Sequence, residues 1–325
     1  MATFRLRYDL RLPDFGAAQP IAQYGAAIEQ CVWAEKHGFE EVLLSEHHGS
    51  PDGYLPSPLV LGGAIANATE RMVLKIAALI APMHDFKRLA EDLAVLDIVS
   101  GGRVVPVVSG GYVESEFAMF GRKLSERPKI MEAVIPFLRQ AWLGQPFEYE
   151  GRTVCVTPRP AQDPMPIFMG GASEAAARRA ARLADGFLAS MPQFNGVYRS
   201  ECIVLGKPDP GAPPPELPTG FIHVAKDPDA AWAKIAPHAM HETNAYGKWM
   251  TDANMVGPYS EIDDAEALRA RGDYLVCTPE ELVAKLSALG SNPAVLLHPL
   301  MGGMPADLAW QSLELIASDV IPRLP

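Results

Sequence analysis

Long apolar runs are missing from this sequence. The best candidate, Val73 to Met83, is short and interrupted by Lys75, whereas a bilayer-spanning helix needs about 18 or more apolar residues in succession. The opening residues, Met-Ala-Thr-Phe-Arg-Leu-Arg-Tyr, alternate like a strand and hold no apolar signal core. Cysteine is sparse and scattered: Cys31, Cys155, Cys202 and Cys277 form no Cys-x-x-Cys pair. That excludes zinc-ribbon spacing and a disulfide framework, and leaves free thiols in a reducing compartment. Positive charge is scarce too. A net charge of −11 argues against nucleic acid or an anionic membrane as partner, since both select for basic patches. No Gly-x-Gly-x-x-Gly follows the first strand-like segment, which removes the usual dinucleotide fingerprint. A cytoplasmic protein that binds neither membrane nor nucleic acid is the expectation.

What is present is a large core and a regular alternation. Hydrophobic residues make up 48% of 325 and charged residues 21%, the balance of a globular chain. Strand-like segments at Phe4–Leu10, Val42–Leu44, Met72–Ala81, Arg103–Ser109, Pro166–Gly171, Gly186–Met191, Thr219–Lys226 and Ala294–Leu300 are spaced along the chain. Seven of the eight lead into a helical pattern, with Ser173, Asp227-Pro228 and Thr278-Pro279-Glu280-Glu281 as start signals. Eight βα units favour the closed barrel over the doubly wound sheet. The expectation is one α/β domain over 1–325, a (β/α)8 TIM barrel. It would carry a small β excursion at about 145–157 and an insertion at about 246–275, mobile or in contact with another subunit.

In such a barrel the C-terminal strand ends form the functional face. Val42-Leu43-Leu44 runs straight into Ser45-Glu46-His47-His48, and three adjacent titratable side chains are costly to bury without a purpose. Gly170-Gly171-Ala172-Ser173 ends another strand. Its glycines either ease a tight βα turn or bare N–H groups for an anion at the helix start, and phosphate binding late in the strand order favours the second. A metal is not expected. His47, His48, His84 and His298 could converge, but the first strand offers Asp9 and Arg11, and Arg11 would repel a cation. His223, in mid-strand, reads as a satisfied interior histidine.

These segments together resemble the bacterial luciferase-like family of flavin-dependent oxidoreductases. The likeness rests on Ser45 to His48; Ala77-Ala78; Leu89 to Arg103 (LAEDLAVLDIVSGGR); Ser109 to Gly121 (SGGYVESEFAMFG); and Pro166 to Gly186. It implies FMN on the strand ends, with its phosphate on Gly170, Gly171, Ala172 and Ser173 and a cis peptide between Ala77 and Ala78 beneath the ring. Ser109 and Gly110 would lie along the flavin. His47 would be the proton-handling histidine, with Glu46 its orienting or relaying neighbour. One departure stands out: luciferases carry a phosphate-binding arginine after the Ser109 position, where this chain has Gly110, and Arg88 or Arg103 would have to compensate.

The resemblance therefore implies a monooxygenase that takes reduced FMN, possibly from a separate flavin reductase, and O2, and oxygenates a small organic substrate. Gly110 keeps open a deazaflavin (coenzyme F-420) oxidoreductase working by hydride transfer, and the family also holds non-catalytic flavin-binding proteins. A homodimer or homotetramer is implied as well.

Overall fold

A computed structural model describes residues 2–16, 18–255, 257 and 259–324. Along the chain, β1 (Thr3–Tyr8), α1 (Pro20–Lys36), β2 (Glu41–Leu44), α2 (Pro58–Ala68), β3 (Val73–Ile80), α3 (Phe86–Ser100) and β4 (Val104–Ser109) come first. Next are α4 (Glu114–Met119), α5 (Arg127–Ala141), the hairpin β5 (Phe147–Tyr149) and β6 (Arg152–Val154), β7 (Phe168–Gly171), α6 (Glu174–Leu183), β8 (Gly186–Ala189) and α7 (Gln193–Val204). The chain finishes with β9 (Phe221–Val224), α8 (Pro228–Asp252), α9 (Ala265–Arg271), β10 (Tyr274–Cys277), α10 (Pro279–Ala288), β11 (Ala294–Leu297) and α11 (Ala306–Leu315).

Local chemistry sets most of these boundaries. Asp85 caps α3 by accepting from the Lys87 and Arg88 N–H groups; Leu89, Leu93 and Leu96 form its buried stripe, and Gly101 ends it at φ 70°. Ser173 caps α6, Asp227 caps α8 ahead of Pro228, and Thr278 with Glu281 forms a capping box on α10.

Two compact units emerge, interleaved so that no single cut in the sequence separates them. The first comprises Met1–Leu43, Ser50–Pro56 and Pro214–Pro325; the second, Leu44–Gly49 and Ser57–Pro213. In the first, β1 lies between β11 and β2, with Phe4 opposite Val295, and β9 pairs in parallel with β10. Phe221, Trp232, Ile235, Tyr274 and Met301 belong to one buried apolar cluster of this unit. In the second, β3, β4, β7 and β8 run parallel in that order, and β5–β6 forms a separate antiparallel pair.

The α/β class with parallel strands is observed, and the hairpin falls inside the expected excursion. A closed ring of eight strands is not among the pairings of the described residues. The expected insertion at 246–275 is more ordered than its weak periodicity suggested. Tyr246 to Asp252 continue α8, and β10 forms at its end. Gly247 is required there, because a Cβ would stand 2.7 Å from the Glu261 nitrogen of a loop lying on the helix. Val256 and Pro258 of this segment lie outside the described residues.

Candidate functional site

In the second unit, the stretch that follows β2 carries Glu46 and His47, both buried, and the half-buried His48. Three donors converge on Glu46. Its Oε1 accepts from Nε2 of His48 (2.9 Å) and of His84 (2.8 Å), and its Oε2 from the Ile80 N–H (2.7 Å). Burial alone would raise the Glu46 carboxyl, but these donors hold it below its ordinary value. Burial likewise opposes charge on His84, yet the bond to Glu46 wins and raises it. Glu46 therefore serves His48 and His84, not the neighbour His47 for which the sequence reading cast it.

The carboxylate on His47 is that of Glu116, from α4. Nδ1 of His47 lies 2.7 Å from Glu116 Oε1, and the His48 N–H donates to the same oxygen at 2.8 Å. Glu116 is fully buried, and its Oε2 has no hydrogen-bond partner. Sequence reasoning missed it. The available signal was a glutamate in a short helix straight after the Ser109 strand end, two positions from a second glutamate, Glu114, that points to solvent.

The other expected residues of this unit gather at the ends of β3, β4 and β7. The Ala77–Ala78 peptide is cis. Ser109 pairs with Ile80 across β3–β4, next to the N–H that Glu46 holds. A Cβ added to Gly170 would meet Cβ of Ser109 at 3.5 Å and of Ala78 at 3.8 Å. That places Ala78, Ser109 and Gly170 around one point, which Val107 also reaches, its Cγ1 3.6 Å from the added Cβ. Gly171 has a different reason to be glycine: its Cβ would strike Ala176 at 2.4 Å, so it lets α6 pack on β7. Ser173 spends its hydroxyl on the Ala176 N–H as helix cap, and Ala172 sits half-buried between them.

The missing arginine at Gly110 has a neighbour in its place. A Cβ there would sit 3.6 Å from Cδ of Arg127. The half-buried Arg127 donates to the carbonyls of Leu124 (3.1 Å) and Gly111 (2.8 Å) and forms no ion pair among the described residues. Burial without a counter-charge lowers its pKa. Neither arginine named from the sequence plays this part. Arg88 is exposed and paired with Asp92, and Arg103 clasps the Ala66, Thr69, Met72 and Ser100 carbonyls.

The first unit holds a second ionic cluster. Arg11 donates to Asp52 (2.5 Å) and lies 3.4 Å from Asp9, and its guanidinium stacks 4.6–4.9 Å from the rings of Tyr54, Tyr246 and Trp249. His241 also meets Asp52 (2.7 Å). His298 stands between Asp9 (3.2 Å) and Glu242 (3.4 Å). Burial would raise the Asp9 carboxyl, but His298, Arg11 and Arg7 hold it well below the usual range. Asp9, Glu242 and His298 offer atoms within 4.8 Å of one another, close enough to share a metal ion; Arg11, beside Asp9, opposes a cation there. His223 is buried as expected, but its ring has no hydrogen-bond partner among the described residues; it lines a cavity of about 550 Å³ with Lys226, Lys234 and Leu308. Desolvation lowers its pKa to about 4.

A parallel α/β scaffold whose strand ends carry a histidine–carboxylate network and a glycine pair is the kind of place where small-molecule sites form. The chain belongs to the luciferase-like monooxygenase family, whose model matches residues 11–295. Among curated relatives, the FMNH2-dependent dimethylsulfone monooxygenase of Pseudomonas putida is 26% identical over 79% of this chain and 77% of its own. An F420-dependent glucose-6-phosphate dehydrogenase of Segniliparus rotundus is 28% identical over 91% of this chain and 93% of its own. The first relatives are matched over less of their length. The chain spans 46% of an uncharacterized Sinorhizobium fredii protein and 58% of the corresponding F420-dependent dehydrogenase of Nakamurella multipartita. The crystal structure of monooxygenase RslO1 from Streptomyces bottropensis superposes with a TM-score of 0.78 at 21% identity, covering 98% of this chain and 99% of its own. That likeness is one of fold. No helix among the described residues is long and apolar enough to cross a membrane.

Proposed function

We propose that this protein is a flavin-dependent monooxygenase on a single (β/α)8 barrel domain, taking reduced FMN and O2 to oxygenate a small organic substrate. The observation that carries this reading is the meeting of Gly170, Ser109 and Ala78 at the strand ends, with Arg127 beside Gly110 and in no ion pair among the described residues. A flat ring fits where side chains are small, and a phosphate fits beside a half-buried guanidinium. The residues present thus suit FMN. Ala77, Ala78, Ser109, Gly110 and Gly170 would line the ring, and Arg127 and the start of α6 would hold the phosphate. When bound, reduced FMN supplies two electrons, so that one oxygen atom enters the substrate and the other leaves as water. His47 is the residue we assign to proton transfer, since an imidazole serves both directions near neutral pH. Glu46 braces His48 and His84.

One observation favours a second reading, hydride transfer with deazaflavin F-420: Gly110 departs from the arginine that FMN-binding luciferases use, and F420-dependent relatives match most of the chain. Titration with each cofactor decides, followed by rapid mixing of the reduced complex with O2. FMN binding with oxygen-dependent reoxidation supports the monooxygenase. Deazaflavin binding alone, with no response to oxygen, replaces it with the second reading.

A homodimer is part of the proposal. The helix α2 contains no charged residue, and Val60 on it is 76% exposed; on α3, Val95, Ile98 and Val99 are 43–53% exposed. A surface helix ordinarily turns a charged face outward. In a chain of net charge −11, an uncharged face lets two copies meet without repulsion. Val60→Glu should halve the sedimenting mass, and an unchanged mass would remove this part of the proposal.

A further inference from the structure

His47 and His48 are pinned by different carboxylates. Glu46 takes the His48 ring and ties it to His84, while Glu116 takes the His48 backbone and the His47 ring together. The bonding at Glu116 fixes proton positions. A backbone N–H can only donate, so the oxygen it meets, Oε1, is an acceptor. As a carboxylate Glu116 can only accept, so the His47 nitrogen on that same oxygen, at 2.7 Å, is Nδ1–H. In a neutral imidazole the other nitrogen, Nε2, consequently carries the lone pair.

We propose that Glu116 is the positioning residue of the site: it holds His47 in the Nδ1–H form and so makes Nε2 the atom that takes up and returns the reaction proton. Glu116 itself touches neither substrate nor flavin in this role. It acts through His47, in the way a buried carboxylate orients an imidazole in other acid–base pairs. The coupling to His48 adds a second consequence. Both donors to Oε1 come from adjacent residues, so the carboxylate orders the backbone at 47–48 as well as the ring. The inference rests on the functional reading above for what the proton is used for, but not for where it sits.

Two substitutions separate orientation from charge. Glu116→Gln keeps a carbonyl oxygen for both donors and removes the charge; Glu116→Leu removes the acceptor. The measurement is the nitrogen-15 spectrum of His47 in the full-length protein without any cofactor, assigned by its loss in His47→Gln. The native protein and Glu116→Gln should show the Nδ1–H pattern. Glu116→Leu should shift toward Nε2–H, as in a free imidazole. In turnover with reduced FMN, Glu116→Leu should lose about 100-fold in kcat, the scale of one acid–base group. Its Kd for FMN should stay within about twofold, and Glu116→Gln should fall between it and the native protein. A native spectrum showing Nε2–H, or a Glu116→Leu spectrum still showing Nδ1–H, overturns the proposal. Should Glu116→Leu fail to fold, the native spectrum alone decides. An Nδ1–H spectrum in a protein that turns over with neither cofactor would sink the monooxygenase reading and leave this one standing.

Discussion

Two arginines, one in each unit, show how differently the chain handles a buried cation. Arg11 is fully buried, paired with Asp52 and Asp9, and covered by three aromatic rings; its pKa is raised because, although burial opposes the charge, Tyr246, Asp9 and Asp52 outweigh it. Arg127 is half-buried, spends two donors on carbonyls, meets no carboxylate among the described residues, and is lowered by desolvation. The first unit closes its charges on one another, and the second leaves a cation facing bare backbone. Ionisable residues at strand ends therefore do not by themselves mark a site. What separates a site from a structural knot is charge that the protein has not already balanced.

The sharpest break in that comparison is His47→Ala. If proton transfer rests on His47, kcat should fall by about 10²–10⁴-fold, while the urea midpoint moves little. A variant that keeps full turnover would put the second unit's network on the same structural footing as the first.

The opposite profile is expected for Asp9→Asn. Arg11 and His298 then lose the charge they face, 3.4 and 3.2 Å away, inside a cluster with almost no solvent access. Removing one partner of a buried pair costs about 3–5 kcal/mol, readable as a lowered urea midpoint. Flavin affinity measured on the fraction that remains folded should be unchanged. Lost flavin affinity at full stability would move the first unit's cluster into the functional site.

Acid should find the first unit by another route. Folding holds His223 at about 4 through desolvation, below the ordinary 6.5 of an imidazole. Between those values the unfolded chain binds a proton that the folded chain refuses, so stability falls as pH drops from 6.5 toward 4. The slope is about 1.4 kcal/mol per unit, and this contribution is fully present above 6.5. His223→Gln should flatten that fall and change nothing above pH 7. In the second unit His84 works the other way, because its pKa is raised by Glu46. Its contribution is present below 6.5 and is lost as pH rises through the folded value.

Much of this was legible in the sequence because it is local. Caps at Asp227, Ser173 and Thr278, the stripe of Leu89, Leu93 and Leu96, and the polar strand end at Glu46 all follow from neighbours within a few positions. What was not legible is long-range. Glu116 reaches His47 across 69 positions, and His241 reaches Asp52 across 189. No spacing rule links them. The assignment of Glu46 to His47 failed for a geometric reason. The carboxylate of residue 46 is taken by His48, two positions on, and by His84, 38 positions away, which adjacency in the sequence does not reveal. Strand β10 escaped because its four residues, Tyr274 to Cys277, directly precede a strong helix signal at Thr278.

The finest test of the comparison is Arg127→Ala, because it asks whether the unbalanced cation belongs to a ligand. A hydrogen bond to a charged group contributes about 1.5–3 kcal/mol, so the Kd for FMN should rise by roughly 10–100-fold. Riboflavin, which has the same ring and no phosphate, should bind the variant and the native protein equally. That pairing removes the ambiguity of a single affinity, since damage to the proposed ring site at Gly170 would weaken both ligands alike. Equal loss for FMN and riboflavin would mean that Arg127 only braces the loop at Gly111, whose carbonyl it holds at 2.8 Å. No loss for either would leave Gly110 without a substitute for the family's arginine and shift the balance toward the deazaflavin reading.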